Sequence, residues 1–572
     1  MNITLDNREI KNPKGLDGKF LQSRTSFFVV QVFHYKKQYA GIPTFGESTT
    51  TQTKMDGGQK LNLMSQQFGL NPEASIHLMK DFSLWATDNY IIVDEILSVS
   101  INKSIGQKGS INISLATQVN WKAKLAPGDW FIVYVFNTEK NITTQILEES
   151  KDKIVFIGNI DRVARQIAKD DDDKTTLRYQ IAGSNFVKVF EKTDIWFNPY
   201  ANQEKVVDIA MNEAGLALFG SPNELISRAL KIFLGPGDTI GDYVSPPLNQ
   251  WKMPPALMSM WPDLGTTFYD LLDQSIADDL PGNAIRQMLT LDSNGSLLDL
   301  LGRWSNPLVN ELFFDECRGG AGGQEVRPTI KLRPRPLNTE FIKEHFVKND
   351  RAWKVVENNY QTIFEHSYLH SLEISEIEIK YQDLGHDDHS RFNMIWLKSQ
   401  DALNGMNSMA TANMGTRGVG LGLPTFNEPS INRYGLNRLD QQLEFFFEEA
   451  SGPYANVSNL NLVKAFIGQL YDFHYCNHMY ETGTIETTGV MEAELGRSLK
   501  IKHTEGPDKI YYIEGYSHNY TYPSHWTTTF TVTHGQWDSA TLPFIDFSKD
   551  DRGQEDVYFK NSYYGKTFIK KG

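Results

Sequence analysis

A histidine–cysteine group near the carboxyl end is the first candidate for chemistry in this 572-residue chain. His474, Cys476 and His478 stand at i, i+2 and i+4, so on a β-strand they would share one face, as the ligands of one metal ion must. The preceding residues, 460–473, have helical apolar spacing, which puts Cys476 on the face opposite the two histidines. A helical pair of histidines can bind zinc, but no third ligand is evident nearby. We therefore expect no metal site at these residues.

Three further polar groups have spacings that only partly fit a metal site. Residues 386–389, His-Asp-Asp-His, follow Gly385 at the end of a predicted strand, which favours a solvated turn. His366 and His370 have helical spacing but lack the glutamate arrangement of a metalloprotease. Residues 170–174, Asp-Asp-Asp-Asp-Lys, lack the interleaved glycine and closing glutamate of a calcium loop, so they predict an exposed hairpin tip.

Motifs for nucleotide binding or covalent catalysis are also missing from the sequence. The glycines of residues 416–424 neither follow a strand nor open a helix, and no Gly-Lys-Ser/Thr accompanies them. There is no Gly-x-Ser-x-Gly elbow or catalytic cysteine motif, and nothing singles out a glycosidase pair among the carboxylates. The sequence predicts no catalytic, cofactor-binding or metal-ligating residues and no cofactor, which favours a structural protein over an enzyme.

Composition excludes several other classes of protein. The chain has 70 acidic and 56 basic side chains, a net charge of −14, which argues against a protein that scans nucleic acid. With 40% hydrophobic residues it is neither disordered nor collagen-like. Cys317 and Cys476 are the only cysteines, so we expect synthesis in a reducing compartment. We find no apolar run long enough for a membrane span and no signal peptide at the start.

The elements that would position these residues are mostly strands in the first third of the chain. Residues 27–34, 90–101, 109–117, 130–136, 154–167 and 176–182 are rich in β-branched and aromatic residues and are separated by turn signals. Pro127, Gly128 and Asp129 predict a tight turn before the strand at 130–136. Strands at this spacing, without intervening helices, favour a closed or nearly closed antiparallel barrel.

Helical spacing replaces the strand pattern over residues 202–304, where prolines predict short helices. A second β region comprises 307–316, 327–336 and the alternating stretch 371–382, and two long strands follow at 509–535. Between them lie a Gly/Met-rich loop, 401–424, and apolar stretches with helical spacing, including 438–450.

The predicted fold class is β-rich α+β, with a helical middle region and further connecting parts. The predicted organisation is an N-terminal arm (1–24), a first β-barrel domain (25–200), a helical docking region (201–306), a second β domain (307–400 with closing strands 484–545), a loop plus helices (401–483) and a C-terminal tail (546–572).

Several segments, taken in order, resemble one family of viral proteins. They are the Pro-Gly-Asp-Trp turn and strand at 127–135, the strand–turn–strand at 309–336, the Ile-Asn-Arg-Tyr-Gly-Leu-Asn-Arg stretch at 431–438, and the segments 481–501 and 511–535. In this order they are similar to the baseplate hub proteins of contractile phage tails. These are the Mu-like and T-even hubs, related to late-control D proteins and to type VI secretion spike-hub proteins. His534 stands where this family often has arginine.

The resemblance implies a structural virion protein without catalysis. Such hubs are homotrimers in which each chain contributes two tube-like antiparallel β-barrel domains. Three chains then form a pseudo-six-fold ring that joins the hexameric tail tube to the trimeric central spike and lets phage DNA pass without specific binding. The implied partners are further copies of the chain, the central spike, the tail tube and other baseplate proteins. The implied location is the tail baseplate, after assembly in the host cytoplasm.

Two alternatives stay open from the sequence alone. One is a tail-associated peptidoglycan hydrolase or glycan-binding protein, and the other is the hub of a related contractile injection system. The charge supports one further hypothesis about the hub itself. If much of the acidic excess lines the bore of the ring, it would repel DNA phosphates and allow the genome to slide.

Overall fold

The structure is a computed structural model of the chain. It describes residues 4–5, 8–9, 26–33, 90–93, 95–116, 119–136, 144–169, 175–193, 219–234, 257, 260–264, 268–274, 287–288, 296–319, 325–335, 371–386, 391–399, 428–443, 470, 474, 480–504, 508–523 and 525–537.

Strands make up most of the described secondary structure. In chain order they are β1 (Thr4–Leu5), β2 (Arg8–Glu9), β3 (Phe27–Phe33), β4 (Tyr90–Val93), β5 (Ile96–Ser104), β6 (Ser110–Leu115), β7 (Trp130–Phe136), β8 (Ile154–Lys169), β9 (Thr175–Asn185), β10 (Phe219–Gly220), β11 (Leu272–Gln274), β12 (Gln287–Met288), β13 (Asn310–Gly319), β14 (Glu325–Pro334), β15 (Leu372–Ser375), β16 (Ile379–Gly385), β17 (Met394–Ser399), β18 (Arg438–Leu443), β19 (Glu481–Thr488), β20 (Ser498–Lys502), β21 (Lys509–Thr521) and β22 (His525–Trp537).

The described helices are short. They are α1 (Trp121–Lys124), α2 (Thr144–Glu149), α3 (Lys188–Lys192), α4 (Pro222–Leu234), α5 (Leu297–Trp304) and α6 (Glu428–Tyr434), with 3-10 turns at Lys151–Lys153, Phe268–Leu271 and Glu376–Glu378.

One sheet of 13 strands connects both β regions of the chain. Its main path runs β16-β19-β22-β21-β5-β6-β9-β8-β7-β3-β4, and β20 adds to β21 and carries β15. Every pair is antiparallel except β15–β20. The predicted β-rich, antiparallel class is therefore confirmed. The two closed barrels that the sequence predicted are not formed by the described strands, whose order runs in one open path from β16 to β4. The pairing of β5 with β21 joins the two β regions within this sheet.

A smaller sheet lies against the large one. β13 and β14 form an antiparallel hairpin with ten residue pairs, and β11 adds to β14 in parallel. β17 and β18 pair in parallel, and β1–β2 and β10–β12 are two-residue pairs.

Local sequence explains the strand at the centre of the first β region. β7, Trp-Phe-Ile-Val-Tyr-Val-Phe, is buried on both faces up to its last residue because it lies between β3 and β8 with other elements above and below. Gly128 has a φ of +95°, and Asp129 accepts a hydrogen bond from the Ala126 N–H at 2.9 Å. The predicted tight turn before this strand is therefore confirmed.

Two predicted helices turn out to contain strands. The stretch 438–450 has helical spacing, but its described part is β18, which pairs with β17 over six residues. Residues 268–274 form a 3-10 turn followed by β11, which pairs with β14. In both cases hydrogen bonds to a distant strand outweigh a weak local preference. The helices predicted around 223–234 and 296–304 are present as α4 and α5, and Ser296 and Asp299 form a capping box for α5.

Three apolar clusters hold these layers together. The first packs α4, α5 and the β13–β14 hairpin against one face of β3 and β7. The second packs against the opposite face of β3 and β7 and includes Met491, Tyr520 and Trp526 from the other end of the chain. The third joins the closing strands to Phe313 of β13. The loop 401–424 and the tail 546–572 lie outside the described residues.

Candidate functional site

Eight consecutive strands of the large sheet consist of two four-stranded modules with the same topology. The N-module contains β5, β6, β8 and β9, and the C-module contains β16, β19, β21 and β22. In each module the order across the sheet is first, second, fourth, third. The third strand of the C-module, β21, pairs with the first strand of the N-module, β5, so the modules are joined head to tail.

The two modules also agree in register. The pairing of the first and second strands shifts between Ile96 and Ser98 in the N-module and between Ile379 and Tyr381 in the C-module. The pairing of the third and fourth strands shifts after Ile160 in the N-module and after Ile513 in the C-module. Because β-bulges redirect and twist a strand, their coincidence at matched positions indicates the same local shape in both modules.

Where the pairing of the third and fourth strands shifts, each module has an acidic residue that accepts a hydrogen bond from a hydroxyl side chain. Asp161 accepts a hydrogen bond from Ser184, and Glu514 accepts one from Thr533 at 3.1 Å. Ser184 and Thr533 stand opposite Asn159 and Tyr512, each two residues before its acid, so the two contacts are equivalent. The modules therefore share a side-chain contact as well as a strand order.

The join between the modules spans seven residue pairs, from Gly515–Ser104 to Thr521–Ser98. On the outer face, the Ser100 hydroxyl donates to the Asn519 Oδ1 at 3.0 Å. On the inner face, the ring of Phe28 lies 4.7 Å from that of Tyr520 and 5.7 Å from that of Trp526. Apolar packing on one face and polar pairs on the other fix the join in a single register.

A buried ionic cluster stands at one end of this join. Lys103 lies opposite Tyr516 in the pairing, and its Nζ contacts Asp315 Oδ1 at 2.8 Å and also the carboxylate of Glu316. All three charged residues are at most 5% exposed. The rings of Phe156 and Tyr516 lie 5.5 Å and 5.4 Å from the ammonium. Burying an ammonium group costs free energy unless carboxylates pair with it, as Asp315 and Glu316 do here.

Backbone N–H groups and one tyrosine hydroxyl, from both halves of the chain, donate hydrogen bonds to the two acids of this cluster. Asp315 accepts hydrogen bonds from the Leu495 N–H at 2.8 Å and the Tyr516 hydroxyl at 3.1 Å, and Glu316 accepts one from the Ile157 N–H at 2.8 Å. Leu495 and Tyr516 belong to the C-terminal half of the chain, whereas Ile157 belongs to β8. The two acids of β13 thus bind both halves of the chain to one hairpin.

A second polar cluster connects the β13–β14 hairpin to the C-module. Arg333 donates to the Gly496 carbonyl and to the Tyr512 hydroxyl, at 3.1 Å for the latter, and its Nε lies 3.4 Å from Glu311 Oε2. Burial and the neighbouring carboxylate of Glu311 raise the pKa of Tyr512 well above its usual value, so its hydroxyl stays a donor. The guanidinium also lies over the Phe313 ring at 5.2 Å.

Titratable groups at the join are held in neutral forms. Burial, with a contribution from the charge of Lys103, lowers the pKa of His518 to about 3. Its Nδ1 lies 2.9 Å from the Thr528 hydroxyl. Burial raises the pKa of the Cys317 thiol to about 12, so this cysteine is protonated and a poor nucleophile. His518 and Cys317 therefore carry no charge at neutral pH in this buried region.

The histidine groups considered from the sequence are only partly described. His474 lies beside Phe392, with ring centroids 5.7 Å apart, and burial lowers its pKa to about 3. His386 follows β16. Cys476, His478, His366, His370 and the ranges 170–174, 387–389 and 416–424 lie outside the described residues. Within the ranges that the structure describes, no three His, Cys, Asp or Glu side chains are placed to hold a metal ion.

The sequence reasoning missed the ionic cluster and the matched modules. Asp315 and Glu316 interrupt an apolar stretch, Leu-Phe-Phe-Asp-Glu-Cys, and such acids within a buried strand are the signal that could have pointed to a buried cation. Lys103 gives no comparable sign, because a lysine in an alternating strand usually faces water.

None of the helices in the described part of the chain is long and apolar enough to cross a membrane.

Comparisons with known proteins give distant structural likeness only. No protein-family model and no curated protein matches the chain. A tail protein from Neisseria meningitidis MC58 overlaps with a TM-score of 0.37 at 8% identity, covering 79% of this chain and 94% of that one. The 43 kDa tail protein of prophage MuSo2 from Shewanella oneidensis gives a TM-score of 0.35 at 10% identity, covering 78% and 94%.

Prophage tail protein gp18 from Listeria monocytogenes EGD-e gives a TM-score of 0.34 at 10% identity, covering 78% of this chain and 91% of that one. All three are tail proteins. At TM-scores below 0.5 the likeness carries no argument about this chain.

Proposed function

We propose that this protein is the structural hub of a contractile phage-tail baseplate, in which three copies form a ring of six similar modules. The observation that carries this proposal is the pair of matched modules joined head to tail in one sheet. A head-to-tail contact that is repeated between copies closes into a ring when its rotation fits a whole number of copies. Two modules in each of three chains would match a six-fold tube on one side and a three-fold spike on the other.

The sequence resemblance to hub proteins supports the same function independently of the module match. Two of its segments fall on elements at the join between the modules, and a third forms a neighbouring strand. Residues 127–135 form the turn before β7 and most of that strand, 309–336 span the β13–β14 hairpin, and 511–535 form most of β21 and β22. Partners inferred from the resemblance are the tail tube, the central spike and other baseplate proteins. The protein is proposed to have no catalytic activity of its own.

The face of the modules that is not packed against the core suits the lining of a DNA channel. Around the join it carries small uncharged side chains, namely Ser98, Ser100, Asn102, Asn112, Ser114, Ser517, Asn519, Thr521, Thr529 and Thr531. The charged side chains on this face include Arg162 and Arg178 in the N-module and Asp383 and Glu486 in the C-module. The acidic excess of the chain is therefore not concentrated there. We infer that DNA would slide because basic clusters are lacking, rather than because acids repel it.

The mass of the protein in solution tests this function. We expect a species three times the 65.1 kDa of one chain, alone or after co-expression with the genes that flank it. Images of that species should show a ring with six lobes. A protein that stays monomeric under both conditions, or that forms two-fold dimers, would overturn the hub function.

The alternative of a cell-wall hydrolase makes the opposite prediction in an activity assay. On a zymogram containing peptidoglycan the purified protein should leave no cleared zone, whereas a lysozyme control should clear. Clearing by this chain would replace the structural function with an enzymatic one. The described residues give no specific support to that alternative, since the buried acids Asp315 and Glu316 are enclosed by Lys103 and backbone donors.

A further inference from the structure

The eight-stranded run of the two modules has an unpaired edge at each end. At one end β16 pairs with β19, and no described strand lies on its other side. At the other end β8 pairs with β7 only as far as Asn159, so among the described strands the outer side of residues 161–169 has no partner. Such edges present rows of backbone N–H and C=O groups that can pair with another chain.

The join inside the chain shows which strands can meet. There, the third strand of one module pairs with the first strand of the other. The two unpaired edges are again a third strand, β8 of the N-module, and a first strand, β16 of the C-module. A second copy placed at the end of the run would therefore repeat a contact that the chain already makes within itself.

The matched pairing shifts set the register of this repeated contact. Ile160 is equivalent to Ile513, so Gln166 is equivalent to Asn519, six residues further along the strand in both cases. In the same way the equivalence of Ile379 with Ile96 makes Asp383 equivalent to Ser100. Within the chain Asn519 faces Ser100.

Side-chain charge differs between the two edges. Residues 161–169 of β8 carry three basic side chains and one acidic one, whereas β16 carries one of each, Lys380 and Asp383. Ile167 and Tyr381 are 64% and 58% exposed, unusually high for large apolar residues. Two β8 edges would repel each other, so this charge distribution disfavours the contact of two β8 strands and favours pairing with the β16 edge, which carries no net charge.

We propose that β8 of one copy pairs antiparallel with β16 of the next, with Gln166 facing Asp383 across the interface. In this register Arg165 faces Leu384, Ile167 faces Gln382 and Ala168 faces Tyr381. The partner is a second copy of this chain, and the interface rests on the ring proposed above. The Gln166 amide nitrogen donates to the Gln180 side chain within the chain, and its second N–H would donate to the Asp383 carboxylate. The direction is the reverse of the equivalent contact inside the chain, where the Ser100 hydroxyl donates to Asn519.

A cysteine pair tests the register directly. The double variant Gln166→Cys/Asp383→Cys should form a disulfide between copies on mild oxidation and give covalent trimers on a non-reducing gel. A disulfide within one chain is excluded by distance, because the two edges are seven strand spacings apart, roughly 30 Å. Mixing the two single variants should give covalent dimers only, because each chain carries one introduced cysteine and can form one disulfide between copies.

Three controls separate the possible outcomes. The oxidised wild-type protein reports any background from Cys317 and Cys476, and each single variant alone should add nothing to it, because a head-to-tail contact never brings like positions together. Gln166→Cys/Gln382→Cys places the second thiol on the opposite face of β16 and should cross-link far less.

The two proposals fail in different ways. A trimer by mass in which the 166/383 pair does not cross-link, or cross-links no better than the 166/382 pair, overturns the register and leaves the hub ring standing. A single variant that cross-links above the wild-type background would show a two-fold contact and also overturn the register. A protein without any oligomer overturns the ring itself.

Discussion

The join inside the chain and the two outer edges of the same sheet use equivalent strands but very different side chains. The join buries Tyr520 and Trp526 against Phe28 and places Lys103 in a closed ionic cluster. The outer edges expose Ile167 and Tyr381 among charged side chains. The join forms as a single chain folds. It can therefore bury aromatic rings and an ionic cluster, because its two strands do not have to be exposed to water as free edges of a folded protein. An edge that must stay in solution until another copy arrives needs charge to prevent wrong pairing.

The largest expected effect is at the ionic cluster of the join. Lys103→Met leaves Asp315 and Glu316 buried without their cation, and we expect the free energy of unfolding to fall by about 3–5 kcal/mol. Lys108→Met is the matched control, because the Lys108–Glu191 pair is exposed to water and such a pair contributes about 1 kcal/mol or less. Urea unfolding of both variants measures the difference. Equal losses would show that the cluster does not hold the join.

The join should also respond to acid through His518. Its pKa in the folded protein, about 3, lies below the value near 6.5 of an unfolded chain, so the unfolded state binds more protons between these pH values. Stability from this group is complete above pH 6.5 and is lost as the pH falls toward 3, by up to about 1.4 kcal/mol per pH unit.

Unfolding of His518→Gln from pH 7 to pH 4 should therefore show a shallower loss of stability than the wild-type protein. Tyr520→Phe is the control, since it alters the same strand without changing a group that titrates in this range. If His518→Gln and the wild-type protein have the same slope, the histidine is not kept neutral at the join.

A smaller effect is expected where the β13–β14 hairpin meets the C-module. Gly496 has a φ of +67°, and a Cβ there would meet Arg333 and Phe313. Gly435 has a φ of +85° with open space around it. Both alanine variants pay for the left-handed backbone, about 1 kcal/mol, and Gly496→Ala should lose about 1–2 kcal/mol more through displaced side chains. Thermal unfolding compares them, and equal losses would mean that Arg333 moves aside without cost.

The smallest expected effect belongs to the outer edges and appears in assembly rather than in folding. Gln166→Glu puts a like charge opposite Asp383 of the next copy, and Gln166→Lys puts an opposite charge there. Cross-strand charge pairs contribute roughly 0.2–1 kcal/mol, so the affinity at each interface should differ by a few-fold between the variants, less at high salt. Sedimentation at two salt concentrations measures this. Equal constants would place Gln166 away from Asp383, whereas monomer stability should stay within about 0.5 kcal/mol.

Prediction from sequence succeeded where the signal is local. The strand at 130–136 and the turn before it were predicted from β-branched and aromatic residues and a Pro-Gly pair, and both are present as β7 and its turn. It failed for residues 438–443, whose apolar spacing indicates a helix but which form β18 beside β17. Helical spacing over so few residues is a weak preference, and a partner strand 44 residues away in sequence overrides it.

The candidate site could be predicted only in part. The acids Asp315 and Glu316 within an apolar stretch hint at a buried cation, but the sequence does not indicate that this cation is Lys103, 212 residues away. The open sheet was missed for a similar reason. Alternating strands predict half-buried antiparallel pairs, yet which strand completes an edge depends on side chains from the other half of the chain.

The residues alone determined the β-rich class, the positions of most strands and the resemblance to tail hubs, because hydrophobic periodicity and turn chemistry act over a few residues. Tertiary structure decided that two unlike stretches of sequence form the same module. Strand order, bulge position and the pairing of Ser100 with Asn519, 419 residues apart, come from contacts between distant parts of the chain. Backbone pairing needs only compatible faces and not similar residues, so the modules match in shape without matching in sequence.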